Sequence, residues 1–105
     1  MTRLWRVRDR ASFAALRREG ARRRVGPLSV TRLAPEQGGA ECPAVAFAIG
    51  RSTGTAVDRN RLRRRLRAVL GELDVPAGTY LVGAGPAAAT LSHQDLRALV
   101  AQTLA

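Results

Sequence analysis

At 105 residues and 46% apolar composition, the chain is expected to form one domain, residues 1–105, with enough apolar side chain for a real core. Its net charge of +10 is carried by eighteen arginines with no lysine, which points to a polyanionic partner rather than a small-molecule substrate. The lone Cys42 excludes an internal disulfide, and no apolar run approaches the roughly 20 residues of a membrane helix.

Met1 to Arg8 reads as a basic, extended lead-in without the apolar stretch of a signal peptide, so a cytoplasmic chain with no membrane partner is expected. Asp9 to Glu19 reads as a short helix. Asp9 or Ser12 caps its start, Phe13 and Leu16 supply an apolar face, and Gly20 follows its end. Ala21 to Gly26 carries Arg22-Arg23-Arg24 on a connection, with room for one short strand before Pro27. Pro27 to Leu33 alternates as a strand, with Leu28 and Val30 on one face and Ser29 and Thr31 on the other. The Pro- and Gly-rich stretch Ala34 to Pro43 is a loop, and the apolar run Ala44 to Ile49 suits a central strand covered on both faces.

Gly50 to Thr55 is a glycine-containing turn that lacks the spacing and the Lys-Ser/Thr ending of a nucleotide-binding loop. A long helix follows, from Val57 or Asp58 to about Leu73. Leu62, Leu66, Val69, Leu70 and Leu73 form one apolar stripe, and Asn60, Arg64 and Arg67 fall opposite it. Arg61 and Arg63 flank that outer face, Arg65 lies nearer the core edge, and Arg59 belongs to the first turn. A turn at Pro76 and Gly78, a buried strand over Thr79 to Ala84, a loop over Gly85 to Thr90 and a last helix starting at Ser92 complete the chain. The order predicts an α+β, two-layer α/β sandwich: one mixed sheet of about four strands with three helices. The strands at 44–49 and 79–84, joined through the long helix, are expected to be parallel neighbours.

Six of the nine residues from Arg59 to Arg67 are arginine and none is acidic. Solvated basic faces usually interleave acids at i, i+4 spacing; this density and placement favour a grip on nucleic acid. Catalytic machinery is missing from the pattern. His93, the only histidine, has no partner nucleophile nearby, and the scattered acids form no metal cluster. A binding module is therefore expected, with a structural RNA-binding protein, such as a ribosomal protein, as the alternative, and a protein-only nuclease disfavoured.

The stretch Ala46 to Arg67, AFAIGRSTGTAVDRNRLRRRLR, closely resembles the signature of the bacterial ribonuclease P protein component: an apolar strand, a short basic turn, a Gly-x-Ala-Val step and Arg-Asn-Arg on a helix. Arg6 to Phe13 resembles the opening of that family, and Thr79 to Val82 and Leu91 to Leu104 resemble its last strand and helix. The resemblance implies a ribosomal-protein-like fold with a left-handed β-α-β crossover, where pattern alone predicts a right-handed one. It implies a protein subunit of an endoribonuclease whose catalytic RNA, using Mg²⁺ held mainly by that RNA, removes the 5′ leader of precursor tRNA. By position, Arg59, Asn60, Arg61, Arg63, Arg64, Arg65 and Arg67 would contact the RNA subunit. Phe13, Arg17, Ser29, Thr31, Arg51 and Ser52 would line a cleft for the leader. No residue is implied to be catalytic or metal-binding. The chain departs from the family pattern at Arg17, where a second aromatic is common, and at Val30 and Thr31, where an aromatic often projects. It departs again at Ser52, where a second basic residue is common, and around Ala84-Gly85, where a basic residue is absent.

Overall fold

The computed structural model describes residues 2–105. Its five strands are β1 (Trp5–Arg6), β2 (Ala21–Val25), β3 (Leu28–Leu33), β4 (Pro43–Ile49) and β5 (Gly78–Ala84). Its helices are α1 (Arg10–Glu19), α2 (Ala56–Glu72) and α3 (His93–Leu104). The sheet order is β1-β4-β5-β3-β2. β4 and β5 are parallel neighbours, as their connection through a helix requires, with Val45 beside Tyr80 and Phe47 beside Val82. β3 runs antiparallel to β5, and β2 antiparallel to β3.

The sheet has one strand more than expected. β1 is two residues long, too short to show alternation, and is defined by its pairing with Ala44 and Val45. β2 occupies the place left open for a short strand before Pro27, although Arg22, Arg23 and Arg24 carry no apolar alternation; it is an exposed edge strand that pairs residue for residue with β3. Charged side chains suit such an edge because they discourage pairing with a second chain.

Helix α2 begins with a reciprocal cap. The Asp58 backbone N–H donates to Thr55 Oγ1 (3.2 Å), and the Thr55 backbone N–H donates to Asp58 Oδ2 (3.0 Å). The hydrogen bonds that the Asp58 carboxyl accepts, first from the Thr55 backbone and then from Thr55 Oγ1 (3.0 Å), hold its pKa below the ordinary value. Gly54, at φ 136°, makes the approach possible: a Cβ there would sit 2.5 Å from Asp58 Oδ2.

Four side chains of the α2 stripe, Leu62, Leu66, Val69 and Leu70, are each at most 1% exposed. They share one core with Leu28, Val30, Val45, Ile49, Tyr80 and Val82 of the sheet and with Leu96 and Val100 of α3. Tyr80 OH donates to the Pro76 carbonyl (2.7 Å), and burial pushes its pKa up, opposed by Arg32. Helix α1 lies against the other sheet face, over β3 and β5. Its end approaches so closely that a Cβ on Gly20 would meet the Leu16 carbonyl at 2.5 Å and Thr31 Cγ2 at 2.6 Å. The Leu16 carbonyl of α1, with Thr31 of β3 beside it, is therefore what requires glycine there rather than a left-handed φ: its φ is −67°.

Two arginines of the block differ in what they hold. Arg65 Nη1 donates to the Ala89 carbonyl (3.1 Å) and Nη2 to the Leu91 carbonyl, pinning α2 to the short turn Pro86–Thr90 before α3. Arg64 is exposed and has no protein partner among the hydrogen bonds and ion pairs of the described residues. Arg65→Ala should therefore lower the unfolding free energy by about 1–3 kcal/mol through loss of charge-assisted hydrogen bonds, while Arg64→Ala should stay within about 0.5 kcal/mol. Urea unfolding of both variants checks the split; equal effects would remove the structural role assigned to Arg65.

Candidate RNA interface

The outer face of α2 is a band of guanidinium groups held by a buried stripe. Arg61 and Arg64 are exposed, and Arg59, Arg63, Arg65 and Arg67 are half-buried. Arg63 Nη1 donates to Asn60 Oδ1 (2.6 Å) across one helical turn. The Arg67 guanidinium carbon lies 5.8 Å from the centroid of the Phe47 ring, in cation–π range. Among the described residues no carboxylate forms an ion pair with these arginines. The two ion pairs present both use Glu72, with His93 Nε2 at 2.9 Å and Arg97 Nε at 3.2 Å. His93, exposed in the first turn of α3, thus joins the ends of two helices.

A groove of about 700 Å³ opens on the opposite sheet face, between the end of α1 and strands β2, β3 and β5. Its floor combines the small residues Ser29, Thr31, Ala48 and Gly83 with Leu81. Its basic lining comes from Arg17 on α1 and from Arg22 and Arg24 on β2. Register explains the last two. Arg22 lies beside Thr31 and Arg24 beside Ser29, so both share the groove face, while Arg23 lies beside Val30 and donates to the Ala105 carbonyl. The strand period of two thereby splits one run of arginines between two faces.

A second groove, of about 650 Å³, lies between the start of α1, β4 and the arginine face of α2. Its lining includes Arg6, Phe13, Ala46, Phe47, Asn60, Arg63, Arg64 and Arg67.

Of the residues expected to form one leader cleft, Arg17, Ser29 and Thr31 do come together in the first groove. Phe13 lies in the second groove, beside the arginine helix. Arg51 and Ser52 are exposed on the short turn Arg51–Thr53 between β4 and α2 and line neither groove. Sequence reading missed Arg22 and Arg24 as groove residues; recognising Ala21 to Val25 as a strand would have found them. It also passed over Phe47 as core, although this side chain is half-buried and its ring faces Arg67. Among the described residues no three His, Cys, Asp or Glu side chains come together as a metal site, and no helix is long and apolar enough to cross a membrane.

The whole chain, residues 1–105, matches the family model described as Ribonuclease P. It is 39% identical over 101 residues to the ribonuclease P protein component of Thermobifida fusca, covering 89% of this chain and 69% of that protein. It is 38% identical over 97 residues to the same component from Acidothermus cellulolyticus, covering 90% of this chain and 80% of the relative. Among solved structures, a mutant of the Staphylococcus aureus RNase P protein superposes with a TM-score of 0.81 at 18% identity, over 95% of this chain and 85% of that one. The RNase P protein from Thermotoga maritima does so with a TM-score of 0.78 at 18% identity, over 94% of each chain. At that identity the structures speak for the fold, and the sequence relatives speak for the family. The family model that spans residues 1–105, with relatives 39% and 38% identical over most of the chain, makes the chain a member of the bacterial ribonuclease P protein family.

Proposed function

We propose that the chain binds the catalytic RNA of ribonuclease P through the outer face of α2 and binds the unpaired 5′ leader of precursor tRNA in the first groove. The observation that carries this reading is the band of α2 arginines that no carboxylate pairs with among the described residues, set on the same small domain as a separate arginine-lined groove. Guanidinium groups grip phosphates in bidentate fashion and remain charged at any physiological pH. Arg61 and Arg64 project freely; Arg63 positions Asn60; Arg65 holds α2 in place while adding to its field.

The first groove has arginines on two of its borders and a floor of mostly small residues around Leu81. A single strand laid along it meets cations for its phosphates and few specific base contacts. Such contacts fix position without reading sequence, which suits a leader that differs from one precursor to the next. The chain contributes binding and electrostatics. In this reading hydrolysis, and the Mg²⁺ that serves it, belong to the RNA subunit. The setting is the cytoplasm.

Reconstitution tests the reading. Adding the chain to a matching RNA subunit should lower the Mg²⁺ concentration needed to cleave precursor tRNA. No change in cleavage, together with stoichiometric association with ribosomal subunits, would instead support a structural RNA-binding protein. Arg64→Ala should reduce the slope of log affinity against log salt for the RNA subunit by about one unit; an unchanged slope would remove Arg64 from the phosphate contacts. The double variant Arg22→Ala/Arg24→Ala should weaken binding of precursor tRNA more than of mature tRNA, measured by direct titration of the reconstituted complex. Equal losses on both would place the leader elsewhere.

A further inference from the structure

The segment before α1 is not a loose tail. The Thr2 N–H donates to the Gly71 carbonyl (2.8 Å), which ties the segment to the end of α2. Thr2 Oγ1 adds to that anchor: it accepts from the Val75 N–H (3.2 Å) and donates to the Leu73 carbonyl. Further on, the Val7 N–H donates to the Val45 carbonyl (3.3 Å), and Val7 itself is buried. Between these anchors Trp5 and Arg6 pair with Ala44 and Val45 as β1, at the sheet edge opposite β2. Fixing both ends of so short a segment fixes where its side chains stand.

Strand alternation sends the two β1 side chains to opposite faces. Arg6 takes the face of Val45 and lines the second groove with Arg64 and Arg67. Trp5 takes the face of Ala44 and, at 47% exposure, is the most exposed of the four aromatics. The Arg3 guanidinium carbon lies 4.6 Å from the centroid of its ring, in cation–π range, so Arg3 covers one face of the indole. Arg3, Arg6 and Arg8 are all exposed, and among the described residues no carboxylate forms an ion pair with them.

A single exposed apolar side chain is ordinary on a protein surface. An indole held on a fixed strand, among unpaired cations and with a guanidinium already on one face, asks for a specific occupant. A second copy of the chain does not suit it, because pairing the two edges sets Arg3, Arg6 and Arg8 against the same charges. RNA meets both requirements: its bases stack on aromatic rings while its phosphates match the arginines. Topology decides which RNA. The first groove lies between α1 and strands β2, β3 and β5, whereas β1 is at the far edge of the sheet, beyond β4. Arg6, the neighbour of Trp5, shares its groove with the arginine face of α2. We propose that Trp5, oriented by Arg3, stacks on an unpaired base of the RNA subunit and extends the footprint of that RNA from α2 across the β1 edge. This rests on the RNA-binding reading above and adds to it an aromatic contact on the segment before α1.

Trp5 is the only tryptophan in the chain, so its fluorescence reports this position alone. The full chain is titrated with the RNA subunit in the absence of tRNA, with emission and filter binding read together. Indole emission should fall as the complex forms, and acrylamide should quench it less, because the stacked ring is shielded. Trp5→Leu, at an exposed edge position, should bind the RNA subunit about tenfold more weakly. Its slope of log affinity against log salt should match that of the wild type, because no phosphate contact is lost. Trp5→Tyr, which keeps a stacking ring, should recover most of the affinity. Unchanged emission at saturation, together with wild-type affinity in a Trp5→Leu chain whose urea midpoint shows it folded, would overturn the stacking contact and leave the α2 grip intact. A wild-type chain that fails to bind the RNA subunit at all would contradict the RNA-binding reading itself. Emission that changes only on addition of precursor tRNA would move the contact to the leader and rule out its assignment to the RNA subunit.

Discussion

The burial of four aliphatic side chains on α2 is the interaction on which the rest depends. An arginine block cannot hold a helical shape by itself, because its charges repel and its interior offers no compensating acid. Burying Leu62, Leu66, Val69 and Leu70 contributes about 1.5–3 kcal/mol for each side chain. Two like charges 4 Å apart in water cost about 1 kcal/mol, and screening at physiological salt reduces that beyond about 8 Å. Burial therefore wins, and the arginines are carried as passengers on a helix the core has already fixed. Their placement also runs against what stability alone would select. Arg59 sits in the first turn, at the positive end of the helix dipole, and Glu72 at the negative end. Glu72 is compensated by Arg97 and lies in hydrogen-bond contact with His93 Nε2. Arg59 has no such compensation: its Nε is buried without a hydrogen-bond partner in the described structure. That arrangement is understandable for a helix selected to meet phosphates.

Elements with a strong apolar period were legible in the sequence. The α2 stripe, the continuously apolar β4 and the cap residues Asp9 and Ser92 stand where periodicity and capping chemistry put them. What escaped was structure defined by partners rather than by pattern. β1 is a strand only because Ala44 and Val45 lie beside it, and β2 is a run of arginines whose alternation appears only against Thr31 and Ser29. The same distinction holds for the grooves. Arg17, Ser29 and Thr31 could be brought together in advance because a resemblance linked them. Phe13 and Phe47, far apart in the chain, share a groove only once α1 and β4 are placed in three dimensions.

The use of arginine alone shapes how the surface divides its work. A lysine ammonium is a point charge, whereas a guanidinium also offers a rigid fork and a flat face. This chain uses all three properties. Arg65 and Arg32 turn their forks to backbone carbonyls at Ala89 and Ala77. Arg3, Arg32 and Arg67 lie over Trp5, Tyr80 and Phe47. The net charge therefore overstates the number of cations free for RNA, because several are already structural. Three of the eight acids are committed too: Asp9 and Asp58 cap helices, and Glu72 joins α2 to α3. Arg64, Arg22 and Arg24 form no ion pair with a carboxylate among the described residues. They lie on two surfaces that adjoin at β4, where the aromatic groove stands. A phosphate chain could be held on either surface by charge alone, but charge does not set how far along its length the chain sits.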